Sequence, residues 1–169
     1  QTCALPILEL RNEFMALQKR DHVIVCGLGQ VGVAITRDLL QQGVPVVAVD
    51  PAATDEDHRE LNLQCPLVAG DATKPQVLRR AGIENARAIV ICTSHDALNL
   101  EIGLTAQTTA DEKRARYLRV VLRCFNYDLA NRIQQISSDY ILLSGAKIAA
   151  PVFTSMAMQN DHTAKNFNS

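Results

Sequence analysis

The stretch VIVCGLGQVGVAI, Val23 to Ile35, decides how the rest of the chain is read. A continuous apolar run, Val23 to Cys26, breaks into glycines at 27, 29 and 32, and apolar positions then resume at a different spacing. An unbroken apolar run is the signature of a strand buried on both faces, because a strand with one wet face alternates. The glycines satisfy G-x-G-x-x-G, which carries little weight alone, but here it directly follows a strand and opens a helix. Asp50 closes the next apolar run 21 residues after Gly29, near the roughly 20-residue spacing of the dinucleotide-binding fingerprint. Gly27 would allow the tight turn, Gly29 the close approach of a phosphate, and Gly32 the packing of helix on strand. Gln30 and Val31 lie at the helix start, where free N–H groups and the positive dipole end hold an anion. Asp50 would accept hydrogen bonds from the ribose hydroxyls. A carboxylate there repels the 2′-phosphate of NADP, and residues 51–53 are Pro, Ala and Ala, with no compensating arginine.

Outward from this turn, short Val/Ile/Leu-rich runs alternate with longer helical patterns. Strands are expected at 23–26, 46–50, 67–69, 88–92, 117–123 and 140–143. Helices are expected at 31–42, 56–62, 76–81, 96–110 and 128–136, with a last one starting near Gly145. Such alternation with short loops implies right-handed crossovers and a parallel sheet. The expected fold is α/β: a Rossmann-like, doubly wound, six-stranded parallel sheet of order 3-2-1-4-5-6 ending in a C-terminal crossover helix. Before it, Leu10, Phe14 and Leu17 follow i, i+4, i+7 spacing in an amphipathic helix over 8–20, read as a lead-in outside the core. The first seven residues, QTCALPI, resemble a translated sequencing-library adapter, which would make the chain a fragment. The domain proper is placed at 21–158, and the polar tail 159–169 is expected to be disordered.

With 169 residues, 47% of them hydrophobic, and a net charge of −1, the composition fits one globular domain and not a disordered chain. It also excludes the strongly basic surface that nucleic-acid binding needs, so no nucleic-acid partner is expected. The five cysteines form no CxxC pair and read as reduced core thiols, suited to the cytosol. No metal site is expected. No run approaches a membrane span, and no signal-peptide pattern opens the chain, which therefore reads as soluble and intracellular. The acidic run Asp55, Glu56, Asp57 reads as a solvated first helical turn.

A second cluster, VAGDATKPQVLRRAGIENARAIVICTSHDALNLEI from Val68 to Ile102, identifies a family. With HVIVCGLGQVG before it and VVLRCFN after it, the chain resembles the TrkA-N or RCK (KTN) domain, the nucleotide-sensing regulatory domain of potassium channels and transporters. The resemblance runs from about His22 to Met158. It implies that Asp71 and Ala72 line the adenine pocket and that Thr93 sits beside the phosphates or second ribose. Asn99 follows in the next helix, and Arg123, closing the fifth strand, faces the phosphates. Capping or turn roles stay open for Asp71 and Thr93, and a cation ending a buried strand needs either a phosphate or a nearby carboxylate. Family members that bind ATP or ADP often place an arginine where this chain has Gln30. NAD(H) is therefore the leading ligand, with ATP/ADP or AMP as alternatives.

SGAKIAAPVF, Ser144 to Phe153, resembles the start of the family's crossover helix, which packs in a dimer. This implies a homodimer or larger ring, a potassium channel or transporter membrane subunit as partner, and a cytoplasmic location at the inner face of the cell membrane. A dehydrogenase would need a substrate pocket and an acid–base residue from a second domain. The four histidines, 22, 58, 95 and 162, are scattered, and His22 reads as a surface residue. The expectation is a regulatory module and no enzyme. The alternatives are the truncated cofactor-binding half of an NAD-dependent oxidoreductase and a Rossmann module used only for assembly.

Overall fold

The computed structural model describes residues 7–52, 65–110, 118–136 and 140–158. The helix expected at 56–62, the acidic run at 55–57 and the tail 159–169 lie outside the described residues. The strands are β1 (His22–Cys26), β2 (Val46–Asp50), β3 (Leu67–Ala69), β4 (Ala86–Ile91), β5 (Arg119–Arg123) and β6 (Tyr140–Leu143). The helices are α1 (Ile7–Gln18), α2 (Gln30–Gln41), α3 (Pro75–Arg80), α4 (Asp96–Thr109), α5 (Tyr127–Ile136) and α6 (Gly145–Met158). A single 3₁₀ turn, Ile83–Asn85, leads into β4.

All neighbouring strands pair in parallel, in the order β3-β2-β1-β4-β5-β6. This is the expected doubly wound sheet. Alternate side chains of β1 enter opposite cores, as the strand period of two requires. Ile24 and Cys26 join Val47, Val49, Ile89, Ile91, Val120 and Leu122 on one face, beneath α3, α4 and α5. Val23 and Val25 join Val46, Ala48, Leu67 and Cys92 on the other, where Val33, Ile35, Leu39 and Leu40 of α2 pack. Each fully buried Ile or Val contributes on the order of 1.5–3 kcal/mol. Because α2 leaves β1 toward one face and α4 leaves β4 toward the other, a crevice opens between them at the carboxyl ends of the two central strands.

Two expectations are corrected. The apolar stripe of α1 was assigned to Leu10, Phe14 and Leu17, which are 53%, 64% and 52% exposed, whereas Asn12 and Ala16 are buried and Ala16 belongs to the core. The helix approaches the sheet by its small face: a Cβ on Gly82 would lie 3.2 Å from the Ala16 carbonyl oxygen. Arg80 of α3 also donates to the Glu13 carboxylate, at 2.8 Å from its Nε. Likewise His22 is no surface residue. It has no exposed surface, and its Nε2 lies 3.0 Å from the Ala81 carbonyl oxygen.

The end of the chain behaves differently. In α6 no residue is buried, although Ile148, Val152, Phe153, Met156 and Met158 are all large and apolar. Pro151 lies inside this helix and removes one of its backbone donors. On the adjoining edge strand, Ile141 and Leu143 are also exposed. Among the described residues no helix is long and apolar enough to cross a membrane.

Candidate nucleotide site

The glycine turn divides its work among three positions. Gly27 has φ +92°, a left-handed conformation that side chains disfavour, and a Cβ there would meet the Thr93 backbone nitrogen at 3.1 Å. A Cβ on Gly32 would fall 1.8 Å from the Gly27 carbonyl oxygen, so only glycine lets α2 sit this close to the turn. Gly29 differs from both. Its φ is −68° and no atom lies within 4 Å of a Cβ placed there, so nothing within the described chain requires glycine. It is the N-cap of α2, which has no side-chain cap and no acidic residue in its first turn. The first N–H groups of a helix have no intrahelical partner.

Around this turn the crevice encloses about 440 Å³, within the usual range of small-molecule sites. Of the residues expected from sequence, Gly27, Gly29, Gln30, Val31, Asp50, Asp71, Ala72, Thr93 and Arg123 line it. Gly32 and Asn99 do not. Gly32 is buried against the turn, and Asn99 stands behind the wall with 1% exposure. The crevice also holds residues that the sequence reading did not assign to it, among them Leu98 and Ile102 from α4 and Cys92 after β4. Leu98 and Ile102 lie four apart on a helix entering from the switch point. That spacing was the available signal.

Asp50 is tied on both sides. Its Oδ2 accepts the Leu28 N–H at 2.8 Å and its Oδ1 accepts the Ala52 N–H at 2.8 Å, which joins the glycine turn to the end of β2. A carboxylate oxygen holds two lone pairs, so each retains capacity for a hydroxyl donor. Asp71 makes turn hydrogen bonds at the crevice wall. Its Oδ1 accepts from the Thr73 N–H at 2.9 Å and from the Thr73 hydroxyl at 2.8 Å, while the residue also lines the crevice. The Thr73 N–H, then its hydroxyl, hold the Asp71 carboxyl below the ordinary carboxylate range. It stays charged at neutral pH.

Thr93 donates its hydroxyl proton to Asn99 Oδ1 at 2.6 Å, and its Oγ1 accepts the His95 N–H at 3.4 Å near the start of α4. At the end of the neighbouring strand, the Arg123 guanidinium lies over the Phe125 ring, 4.1 Å from its centroid. Among the described residues no carboxylate is within ion-pair distance of Arg123. His95 lines the crevice and its Nδ1 is 2.9 Å from Ser94 Oγ. Burial pushes the Cys92 thiol up to about 11, so it is protonated at neutral pH. Cys26, Cys65, Cys92 and Cys124 are all free and buried, while Cys3 lies outside the described residues. Among the described residues no group of three His, Cys, Asp or Glu side chains could hold a metal ion.

Comparison with known proteins agrees with this fold. The voltage-gated potassium channel Kch of Escherichia coli is 27% identical over 151 residues, covering 86% of this chain and 35% of that protein. The probable potassium channel protein 2 of Methanocaldococcus jannaschii is 28% identical over 118 residues, covering 63% of this chain and 34% of its own length. The chain thus spans about a third of each relative. Among solved structures, the TrkA-N domain of the E. coli inner membrane protein ybaL superposes with a TM-score of 0.69 at 18% identity, covering 82% of this chain and 98% of that one. The AMP-bound Kef C-terminal domain of Shewanella denitrificans gives 0.66 at 21% identity, with 83% and 82% covered. The GsuK channel bound to NAD gives 0.58 at 17% identity, with 73% and 22% covered. At these identities the structures establish the fold. The sequence model of the TrkA-N domain matches residues 23–144, from β1 to the end of β6, and the chain belongs to that family.

Proposed function

We propose that this chain is the regulatory module of a potassium channel or transporter and binds NAD(H) or an adenine nucleotide in the crevice. The observation that carries the reading is Gly29. It is a glycine that the chain's own packing does not require, at the uncapped start of α2, facing a space with Asp50 on one side and Arg123 on the other. A phosphate there explains the missing side chain, because its oxygens need close backbone N–H donors. Gln30 adds hydrogen-bonding capacity without charge, and Asp50 suits an unphosphorylated ribose, which favours NAD(H) over ATP/ADP or AMP. The AMP and NAD bound by two structural neighbours support the same ligand class.

We assign the chain no catalysis. The thiol in the crevice is protonated and the ligand's role is to bind two states of the assembly unequally, which is sufficient for regulation. Residues 21–158 form the domain on this reading. It works as a homodimer or larger ring through α6, whose apolar side chains are unburied, at the cytoplasmic face beside a membrane subunit. The potassium channels among the relatives support that partner.

Calorimetric titration with NAD+, NADH, ATP, ADP and AMP tests the reading. Saturable binding of at least one is expected, weakened about tenfold or more by Asp50→Ala, the loss of about 1.4 kcal/mol. Heat that is absent for all five ligands, or unchanged in Asp50→Ala, overturns it.

A further inference from the structure

Asn99 was expected among the ligand-contacting residues, and its surroundings point to different work. Its side chain is buried and bonds to both Thr93 and Arg123. The Oδ1 accepts the Thr93 N–H at 3.1 Å and the Thr93 hydroxyl at 2.6 Å. The Nδ2 donates to the Thr93 carbonyl at 3.3 Å and to the Arg123 carbonyl at 2.9 Å. A backbone N–H can only donate and a backbone carbonyl can only accept, so the amide orientation is fixed by its neighbours. One buried amide therefore joins Thr93, two residues beyond β4, to Arg123, which ends β5, and both of those residues line the crevice.

The far side of Arg123 is braced by a second device. Asp96, at the start of α4, accepts the N–H groups of Phe125 and Asn126 at 2.8 Å each, Oδ1 taking the first and Oδ2 the second. That pair pins the loop whose aromatic ring lies beneath the Arg123 guanidinium. The cation is thus held at its backbone by Asn99 and at its head by a ring face, with no carboxylate within ion-pair distance among the described residues. A guanidinium stacked on a ring keeps its N–H donors in its own plane free for an oxyanion.

We propose that Asn99 is a positioning residue, and that with Phe125 it pre-orders Arg123 as the receptor for the ligand's phosphate. The proposal rests on the nucleotide reading of the crevice and goes beyond it by separating phosphate recognition from recognition of the nucleoside. Pre-ordering a charged side chain lowers the entropic cost of binding, so its loss falls on the phosphate and spares the base and sugar.

The test compares AMP with adenosine on the chain and its Asn99→Leu, Phe125→Leu and Arg123→Gln variants. Both leucine variants are expected to weaken AMP by about tenfold and adenosine by no more than about twofold. In the Arg123→Gln background, adding either leucine substitution is expected to change AMP affinity by less than about twofold, since residues acting through one group are not additive. Phe125 is half exposed, so its variant carries the test if Asn99→Leu fails to fold. Equal losses for AMP and adenosine, or losses that add to that of Arg123→Gln, overturn the positioning role. Absence of AMP binding in the unsubstituted chain overturns this proposal, and the nucleotide reading falls with it only if NAD+, NADH, ATP and ADP also fail to bind, a result distinct from the other two.

Discussion

Replacing Gly32 by alanine places a carbon 1.8 Å from the Gly27 carbonyl oxygen, 2.9 Å from its carbonyl carbon and 3.1 Å from the Cys92 sulfur. Carbon and oxygen need well over 3 Å, and two of the three obstacles are backbone atoms, which cannot rotate aside as a side chain does. The start of α2 must lift away from the turn, which disturbs the contacts of Val33 and Leu28 in the second core. Overpacking typically costs about 1–3 kcal/mol, and a backbone clash belongs at the upper end. About 3 kcal/mol corresponds to a fall in Tm of roughly 6–12 °C for a domain of this size. Gly29→Ala is the matched control, since its φ of −68° suits alanine and no atom lies within 4 Å of the added carbon. Alanine is a poorer N-cap than glycine, a difference of about 1 kcal/mol or less. Urea unfolding without ligand should thus find Gly32→Ala severely destabilised and Gly29→Ala nearly normal. In thermal scans NAD(H) or AMP is expected to raise the Tm of the unsubstituted chain and not that of Gly29→Ala. Equal destabilisation by the two substitutions, or a ligand-induced rise that survives Gly29→Ala, refutes the division of labour within the turn.

Burial alone would raise the Asp96 carboxyl, but the N–H groups of Phe125 and Asn126, with smaller help from Cys124 and Arg123, outweigh it and hold the group below its ordinary value. A carboxylate with a depressed folded-state pKa stabilises fully above the ordinary carboxylate range and loses that contribution as pH falls below it. Asp96→Asn should therefore be less stable at pH 7, with a smaller further loss than the unsubstituted chain between about pH 4 and 2. An unchanged acid profile in denaturant titrations contradicts this. Burial pushes the Cys65 thiol up to about 12 and Cys92 up to about 11, so a thiol-specific disulfide reagent at pH 7.5 should label a Cys3→Ser chain only as fast as it unfolds. Rapid labelling without denaturant counts against that burial. Phe153→Asp, at a side chain 74% exposed, should leave the Tm within a few degrees while shifting sedimentation from dimer to monomer. A dimer that persists moves the proposed interface away from α6.

Much of the sheet could be read from the chain because its signals are local. Continuous apolar runs at Val23–Cys26 and Val46–Val49 mark strands buried on both faces, and the glycine turn fixes what lies between them. Helix α1 shows where periodicity misleads. The i, i+4, i+7 series of Leu10, Phe14 and Leu17 marks the most apolar stripe, yet the side that meets the sheet is chosen by how closely two backbones can approach, and there Ala16 faces Gly82. The burial of His22 has a related cause. A polar residue before a strand reads as surface until the Gly82 turn, distant in sequence, folds over it and supplies the Ala81 carbonyl. At the site, residues that face the crevice were found because the glycine fingerprint and the family pattern mark them. Asn99 was expected among the crevice residues and is buried behind its wall, because no sequence pattern distinguishes an amide that faces a crevice from one that joins two residues lining it. Leu98 and Ile102 went unassigned, since only their spacing of four on a helix that starts at the switch point marks them as lining this crevice.

The two hydrogen bonds of Asp50 limit how this pocket can be re-engineered. The side chain that would discriminate against a 2′-phosphate also accepts the Leu28 and Ala52 N–H groups, so it is a clamp between the glycine turn and the end of β2. Shortening it to admit NADP would leave the half-buried Leu28 N–H without its acceptor, at about 1–3 kcal/mol if water cannot reach it, while the Ala52 N–H is open to solvent. On the proposed nucleotide reading, a change of cofactor preference calls for a second substitution that restores the acceptor for Leu28, and selectivity and rigidity at this corner evolve together.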